Sequence, residues 1–124
     1  MFDENPERAR GPSRPDNLKT VTRDTFDSLV LQRKGPIAVE FMTYGCAHCR
    51  LLEPIIQQVA AKLKGQAAVF RVNTAVEGDL VYSYGIEGTP TLLLFRDGKI
   101  VGRSEGPTPT LANILAIITQ PFEL

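Results

Sequence analysis

Apolar positions along this chain follow two different periods, and each period predicts a type of element. Between residues 37 and 44 apolar side chains alternate with other residues, with Ile37, Val39 and Phe41 on one side, which is typical of a β-strand. Further strands are predicted over residues 18–21, 67–73, 91–95 and 99–103. The last two enclose Arg96-Asp97-Gly98, which indicates a hairpin turn.

Helical spacing dominates the segment that begins at Cys46 and should end at Gly65. Pro54 lies inside it and is expected to kink the helix without ending it. Its predicted apolar stripe consists of Leu51, Leu52, Ile55, Ile56, Val59, Ala60 and Leu63. Three more helices are predicted: residues 23–33 after an N-cap at Thr22, residues 76–84, and a last helix capped by Thr108 with Pro109 at its first position.

The predicted order is β-α-β-α-β-α-β-β-α. Alternating strands and helices imply parallel strands, and the hairpin adds an antiparallel edge. We therefore expect an α/β fold, with a central mixed β-sheet flanked by helices on both faces. One domain is predicted over residues 18–124, preceded by a flexible tail at residues 1–17, which are charged and rich in proline.

Composition excludes several classes of function. A chain of 124 residues suits one modest core, and its formal net charge of zero does not favour nucleic acid or an anionic membrane as a partner. No apolar run approaches the roughly 20 residues that span a bilayer. We expect a monomer. The N-terminus lacks the apolar region of a secretory signal, so a cytoplasmic location is expected if Met1 is the native start.

Both cysteines, Cys46 and Cys49, and the single histidine, His48, lie where the strand at residues 37–44 meets the next helix. A Cys-x-x-Cys at a helix N-terminus brings two sulfurs within bonding reach, and the free N–H groups and the helix dipole favour a thiolate there. A structural disulfide would close too small a loop to stabilise much, about 2 kcal/mol. Metal or iron–sulfur binding through these three residues would need ligands from two chains. We expect a redox pair and no cofactor.

The chemistry of this pair assigns each residue a role. Cys46, at the exposed end of the turn, is the expected attacking thiol, and Cys49, one helical turn inside, is the expected resolving thiol. Glu40 is the candidate acceptor for the Cys49 proton, with a pKa raised by burial; the alternative is a carboxylate paired with Lys62 or Arg71. His48 is expected beside the Cys46 thiolate, where it would stabilise the reduced form and raise the reduction potential; the alternative is an exposed histidine without effect.

Residues 17–119 resemble the thioredoxin family. The Cys46–Cys49 motif follows a strand, Pro54 matches the family's helix kink, Arg71 ends the third strand, and the segment Tyr84-Gly85-Ile86-Glu87-Gly88-Thr89-Pro90-Thr91 is similar to the family's stretch around a cis-proline. Two features differ from a typical thioredoxin. The motif is Cys-Ala-His-Cys without any tryptophan in the chain, and Glu40 stands where the family usually has aspartate. The histidine before the second cysteine is similar to protein disulfide isomerase.

This resemblance implies that the Thr89-Pro90 bond is cis and packs against the cysteines, and that the Thr89 backbone pairs with an extended substrate segment. Tyr44, Met42 and Ile86 are expected to form an apolar docking rim. The expected function is thiol–disulfide exchange with protein thiols and disulfides through a mixed disulfide, with a reductant of the thioredoxin-reductase type or glutathione. The alternative is a thioredoxin-like binding or redox-sensing module without general turnover.

Overall fold

The computed structural model describes residues 16–124. In this part of the chain there are five β-strands and four α-helices. The strands are β1 (Lys19–Thr20), β2 (Pro36–Met42), β3 (Ala68–Asn73), β4 (Thr91–Arg96) and β5 (Lys99–Glu105). The helices are α1 (Arg23–Phe26), α2 (Ala47–Lys62), α3 (Gly78–Ser83) and α4 (Leu111–Thr119). No helix in residues 16–124 has the length and apolar character needed to cross a membrane.

All five strands form one sheet in the order β1-β3-β2-β4-β5. Strands β1, β3 and β2 are parallel, and β4 runs antiparallel to both β2 and β5. The β4–β5 turn has positive φ at both Asp97 and Gly98, as a two-residue hairpin loop requires. The predicted mixed sheet with an antiparallel edge is therefore confirmed.

Two apolar layers cover the two faces of the sheet. On one face α2 and α4 bury Leu52, Ile56, Ile114 and Ile118 against Ala38 of β2. On the other face, side chains from α1, α3 and the turn between α1 and β2 surround the alternate residues of β2; this second cluster includes Phe26, Val30, Val39, Phe41, Leu80 and Phe95. The central strand β2 is thus buried on both faces, which fits helices on either side of a largely parallel sheet.

Helix α2 carries the expected stripe with one exception. Leu52, Ile56 and Val59 are fully buried, whereas Leu51 is 65% exposed. Pro54 lies within the helix, as predicted, and Gly65 adopts a left-handed φ of +87° just after its end. The predicted stripe is one residue too wide because a single sheet face covers only a limited sector of the helix.

Two helix boundaries differ from prediction. The helix expected over 23–33 is α-helical only in its first turn and continues as a π-helical turn, Asp27–Leu31, in which the Gln32 N–H donates to the Asp27 carbonyl at 2.8 Å. The last helix begins after Thr110, whose hydroxyl accepts from the Asn113 N–H at 3.2 Å, so the predicted cap at Thr108 is wrong.

The predicted N-terminal tail, residues 1–17, falls mainly outside the described residues. Its last two residues are described, and both contact the body of the fold. The Asn17 N–H donates to Gln57 of α2 at 2.7 Å, and Asp16 forms an ion pair with Arg71 of β3 at 2.6 Å. The body of the fold therefore reaches at least to Asp16.

Candidate active site

Cys46 is the N-cap residue of α2. Its extended backbone ends the turn after β2, and its sulfur accepts a hydrogen bond from the Cys49 N–H at 3.1 Å. Partial burial on its own would raise the pKa of the Cys46 thiol. Hydrogen bonds from the Cys49 side chain and from the N–H groups of Cys49 and His48 outweigh this effect, so the pKa is lowered. The thiolate of Cys46 is the species that this helix terminus stabilises.

Cys49 lies one turn further along α2 and is only 2% exposed. Burial, together with its hydrogen bond to the Cys46 side chain, raises the pKa of the Cys49 thiol to about 11. Both cysteines are free thiols in this structure. The two sulfurs are therefore unequal: one is accessible and easily ionised, and the other is covered and holds its proton.

A loop distant in the sequence completes the surroundings of Cys46. The Thr89-Pro90 peptide bond is cis, as predicted, and the Thr89 carbonyl oxygen lies 3.5 Å from the Cys46 sulfur. The loop is fixed on both sides, because the Thr91 hydroxyl donates to the Gly88 carbonyl at 2.8 Å and the Gly106 N–H donates to the Pro90 carbonyl at 2.8 Å. The Thr89 backbone thus lies directly beside the sulfur.

Glu40, in the middle of β2, is completely buried. Burial, followed by the negative charge of Glu53, raises the pKa of the Glu40 carboxyl to about 8. Within residues 16–124 neither of its oxygens has a hydrogen-bond partner. The alternative that Glu40 pairs with Lys62 or Arg71 is therefore wrong for this part of the chain, and Arg71 is paired with Asp16 and Glu53 instead.

The His48 ring makes a contact that the sequence does not predict. Its Nε2 lies 2.9 Å from the Pro107 carbonyl oxygen, so the ring contacts the loop that follows β5. The bond from His48 to the Cys46 sulfur comes from the backbone N–H. An added Cβ at Gly106 would lie 3.8 Å from the His48 ring, which shows how closely the ring packs on this loop.

The expected apolar rim is only partly present. Tyr44 is 61% exposed in the turn before Cys46, whereas Met42 and Ile86 are buried. Ile86 packs into the core on the α1 and α3 side of the sheet. The assignment of Met42 and Ile86 to a docking rim is therefore wrong, because both side chains are buried and offer no exposed apolar surface.

Two charged residues near the site were not predicted. Glu53 follows Cys49 by one helical turn and binds Arg71 at 2.6 Å, and Asp16 binds the same guanidinium at 2.6 Å. A carboxylate at position i+4 from Cys49, at the margin of an apolar stripe, could have been noticed in the sequence. The contact with Asp16 depends on the tertiary fold and has no local signal.

A small cavity of about 100 Å³ adjoins the buried thiol. Its lining consists of Met42, Thr43, Tyr44, Cys49, Arg50 and Glu53. Among the described residues no group of three or more His, Cys, Asp or Glu side chains has the arrangement of a metal site.

Comparison with known proteins agrees with this geometry. The family model described as Thioredoxin matches residues 17–120. The chain is 37% identical over 97 residues to Thioredoxin 1 of Synechococcus elongatus, covering 77% of this chain and 91% of the relative. It is 31% identical over 91 residues to Thioredoxin of Pseudomonas aeruginosa, covering 73% of this chain and 84% of the relative.

A domain of a larger protein is similar as well. Protein disulfide-isomerase A3 of Gallus gallus is 37% identical over 82 residues, which cover 66% of this chain and 16% of that protein. The similar segment is thus a small part of that protein.

Proposed function

Because the chain belongs to the thioredoxin family, we propose that it is a thiol–disulfide oxidoreductase that exchanges its Cys46–Cys49 pair with disulfides of protein substrates. The observation that carries the proposal is the inequality of the two thiols. The pKa of Cys46 is lowered at a partly exposed helix N-terminus, while the pKa of buried Cys49 is raised to about 11. Such a pair provides one thiol that ionises easily and acts as the nucleophile, and a second thiol that keeps its proton.

In the first step the Cys46 thiolate attacks one sulfur of a substrate disulfide. A new bond forms between Cys46 and that sulfur, and the substrate disulfide breaks. The other substrate sulfur leaves as a thiolate, which takes a proton from solvent. The product is a mixed disulfide at the exposed end of the site.

In the second step Cys49 gives its proton to the Glu40 carboxylate and attacks the Cys46 sulfur. The Cys46–Cys49 disulfide forms, the bond from Cys46 to the substrate breaks, and the second substrate sulfur leaves as a thiolate that takes a proton from solvent. The substrate has then gained the two electrons that the pair has lost. With a pKa of about 8 against about 11, Glu40 is the weaker base, so the Cys49 thiolate forms only as the attack proceeds.

The substrate is proposed to dock along the loop at the cis-proline. The Thr89 backbone lies beside the Cys46 sulfur, with 3.5 Å between its carbonyl oxygen and Sγ, where an extended chain could pair with it. Pro90 is buried next to Thr89, and exposed Tyr44, in the turn just before Cys46, offers an apolar surface to a docked chain.

Thioredoxins act on protein disulfides and are reduced by thioredoxin reductase. A reductase of that type is the proposed electron donor for this chain, with glutathione as the second candidate. The Cys-Ala-His-Cys motif and Glu40 set this site apart from a typical thioredoxin, so the choice of donor is best decided by direct assay with each reductant.

Insulin reduction in the presence of dithiothreitol tests the proposal. We expect wild-type protein to accelerate the turbidity of insulin and Cys46→Ser to abolish the acceleration. Cys49→Ser is the matched control: it keeps the attacking thiol and should accumulate a mixed disulfide that is visible by mass spectrometry. Equal turbidity rates for wild type and Cys46→Ser would favour a binding or redox-sensing module instead.

A further inference from the structure

Glu40 and Arg71 are direct neighbours on two parallel strands. The β2–β3 register pairs them, so their side chains project from the same face of the sheet. A buried carboxylate beside a guanidinium would ordinarily form an ion pair. Here neither oxygen of Glu40 has a hydrogen-bond partner among residues 16–124.

The guanidinium of Arg71 is instead held by two other carboxylates. Its Nη1 lies 2.6 Å from Oδ2 of Asp16, and its Nη2 lies 2.6 Å from Oε1 of Glu53. Nη1 also donates to the Leu18 carbonyl at 3.4 Å. The Arg71 side chain is only 4% exposed, so these contacts determine its orientation and neutralise its charge.

Gln57 reinforces this arrangement. Its Nε2 donates to Oδ1 of Asp16 at 2.7 Å and to Oε1 of Glu53 at 3.0 Å. Glu53 and Gln57 are one turn apart on α2, and Glu53 is itself one turn after Cys49. The helix that begins at the reactive cysteines therefore also supplies the group that holds Arg71.

Glu53 acts on Glu40 through its charge as well. Burial is the main cause of the raised pKa of Glu40, the negative charge of Glu53 adds to it, and the positive charge of Arg71 opposes it. The second oxygen of Glu53, Oε2, is buried and has no partner within the described residues. Glu53 thus favours the protonated form of Glu40 both directly and by occupying Arg71.

We propose that Glu53 is a positioning residue for the exchange reaction, which holds Arg71 away from Glu40 and so keeps Glu40 able to take up and release a proton near neutral pH. This inference rests on the proposed function. An ion pair with Arg71 would leave Glu40 permanently ionised, so it could not return a proton to Cys49 when the exchange runs in reverse.

The other charged and titratable groups around Glu53 are few. Arg71 and Asp16 face it from β3 and from the segment before β1. Tyr44, Arg50 and Cys49 share the small cavity that it lines. Of these groups, only Arg71 forms an ion pair with Glu53 in the part of the chain that the structure describes.

The test is a direct titration of Glu40 in the reduced protein. Carbon-13 at the glutamate side-chain carboxyls reports each ionisation by NMR, and Glu40→Gln identifies the signal of Glu40. We expect Glu53→Gln to move the midpoint of Glu40 to lower pH by about one pH unit. Glu53→Asp restores the charge and should return the midpoint close to that of wild type. Glu123→Gln, which removes an exposed carboxylate at the C-terminus, is the matched control and should leave it unchanged.

A second variant covers the case in which Glu53→Gln does not fold. Asp16→Asn removes the other carboxylate that holds Arg71 and should move the Glu40 midpoint in the same direction by a smaller amount. An unchanged or higher midpoint in a folded Glu53→Gln protein would overturn the role of Glu53. If that variant does not fold, a higher midpoint in Asp16→Asn would overturn it, because release of Arg71 can only lower the midpoint.

Insulin reduction by the wild type, measured in parallel, separates this inference from the proposed function. An unchanged Glu40 midpoint with normal insulin reduction rejects the positioning role alone. A shifted midpoint in a protein whose wild type lacks insulin reduction supports the electrostatic role of Glu53 and counts against the proposed enzyme.

Discussion

Nε2 of His48 lies 2.9 Å from the carbonyl oxygen of Pro107, and this contact joins the first turn of α2 to the loop after β5. Since a carbonyl oxygen can only accept, Nε2 carries the proton and donates it. The position of the ring is thus determined by the fold around Gly106 and Pro107. Changing the ring therefore separates its electrostatic effect from the hydrogen bonds that the backbone gives to Cys46.

The first prediction concerns the reduction potential. We expect the His48 ring, held next to the site by Pro107, to favour the reduced thiolate form, so the wild-type potential should lie between roughly −270 mV and −180 mV. We expect His48→Ala to lower it by about 30 mV, which for two electrons corresponds to about 1.4 kcal/mol. Equilibration with glutathione, followed by acid quenching and mass spectrometry, measures both values.

His48→Gln is the matched control for this change, because its amide can still donate to Pro107 but lacks the imidazole ring. A value between those of wild type and His48→Ala is expected. A reduction potential for His48→Ala equal to or above that of wild type would show that His48 does not raise the potential of the cysteine pair.

Glu40 should make the stability of the protein depend on pH. Its pKa rises from 4.5 to about 8 on folding, because burial disfavours the charged form. Between these values the folded state binds more protons than the unfolded state, so the free energy of unfolding falls as pH rises. The contribution is fully present below about pH 4.5 and is lost as pH passes through about 8, with an upper limit of about 5 kcal/mol well above that pH.

Urea denaturation of the reduced protein between pH 5 and pH 9 measures this slope. Glu40→Gln carries no titrating group and should flatten the curve over this range, so the variant is more stable than wild type at the alkaline end. Glu123→Gln should keep the slope of wild type. Parallel curves for wild type and Glu40→Gln would show that Glu40 is not protonated in the folded state.

A third prediction compares two glycines with the same backbone conformation. Gly65 and Gly98 have φ of +87° and +81°, but a Cβ at Gly98 would lie 2.8 Å from the Leu31 carbonyl oxygen, whereas a Cβ at Gly65 meets nothing within 4 Å. Both substitutions by alanine introduce left-handed strain of about 1–2 kcal/mol. Gly98→Ala adds a backbone clash and should destabilise the protein by at least about 1 kcal/mol more than Gly65→Ala.

Chemical denaturation of the two variants against wild type measures this difference. Gly65→Ala serves as the control for strain alone, because its surroundings are open. Equal losses of stability would mean that the hairpin moves away from Leu31 without penalty.

Patterns within one element were sufficient to predict most of the fold. The alternation in β2, the helical stripe that continues on both sides of Pro54, and the Asp97-Gly98 turn each depend on neighbouring residues, and each element was found. Two kinds of feature were not predicted: a choice between two equally suitable residues, and a contact between residues that lie far apart in the sequence. Thr108 and Thr110 are equally good caps by residue type, so the sequence does not distinguish them, and in the structure Thr110 is the cap.

The same contrast between local sequence patterns and long-range contacts applies to the candidate site. Cys46 and Cys49 could be predicted because strand, turn and helix are consecutive in the chain. Ile86 was misplaced because no local period shows that the residue after Gly85 turns into the core. The interaction of Asp16 with Arg71 joins residues 55 positions apart, so no local pattern in the sequence indicates it.

The ionisation of Cys46 is the central claim, and the pH dependence of its alkylation tests it most directly. The reduced protein is treated with iodoacetamide over pH 5 to 10, and peptide mass spectrometry follows Cys46 and Cys49 separately. We predict that the reaction of Cys46 has its midpoint clearly below the value of about 8.5 for a free cysteine, and that Cys49 reacts slowly throughout. A midpoint for Cys46 at or above about 8.5 would contradict the proposed mechanism.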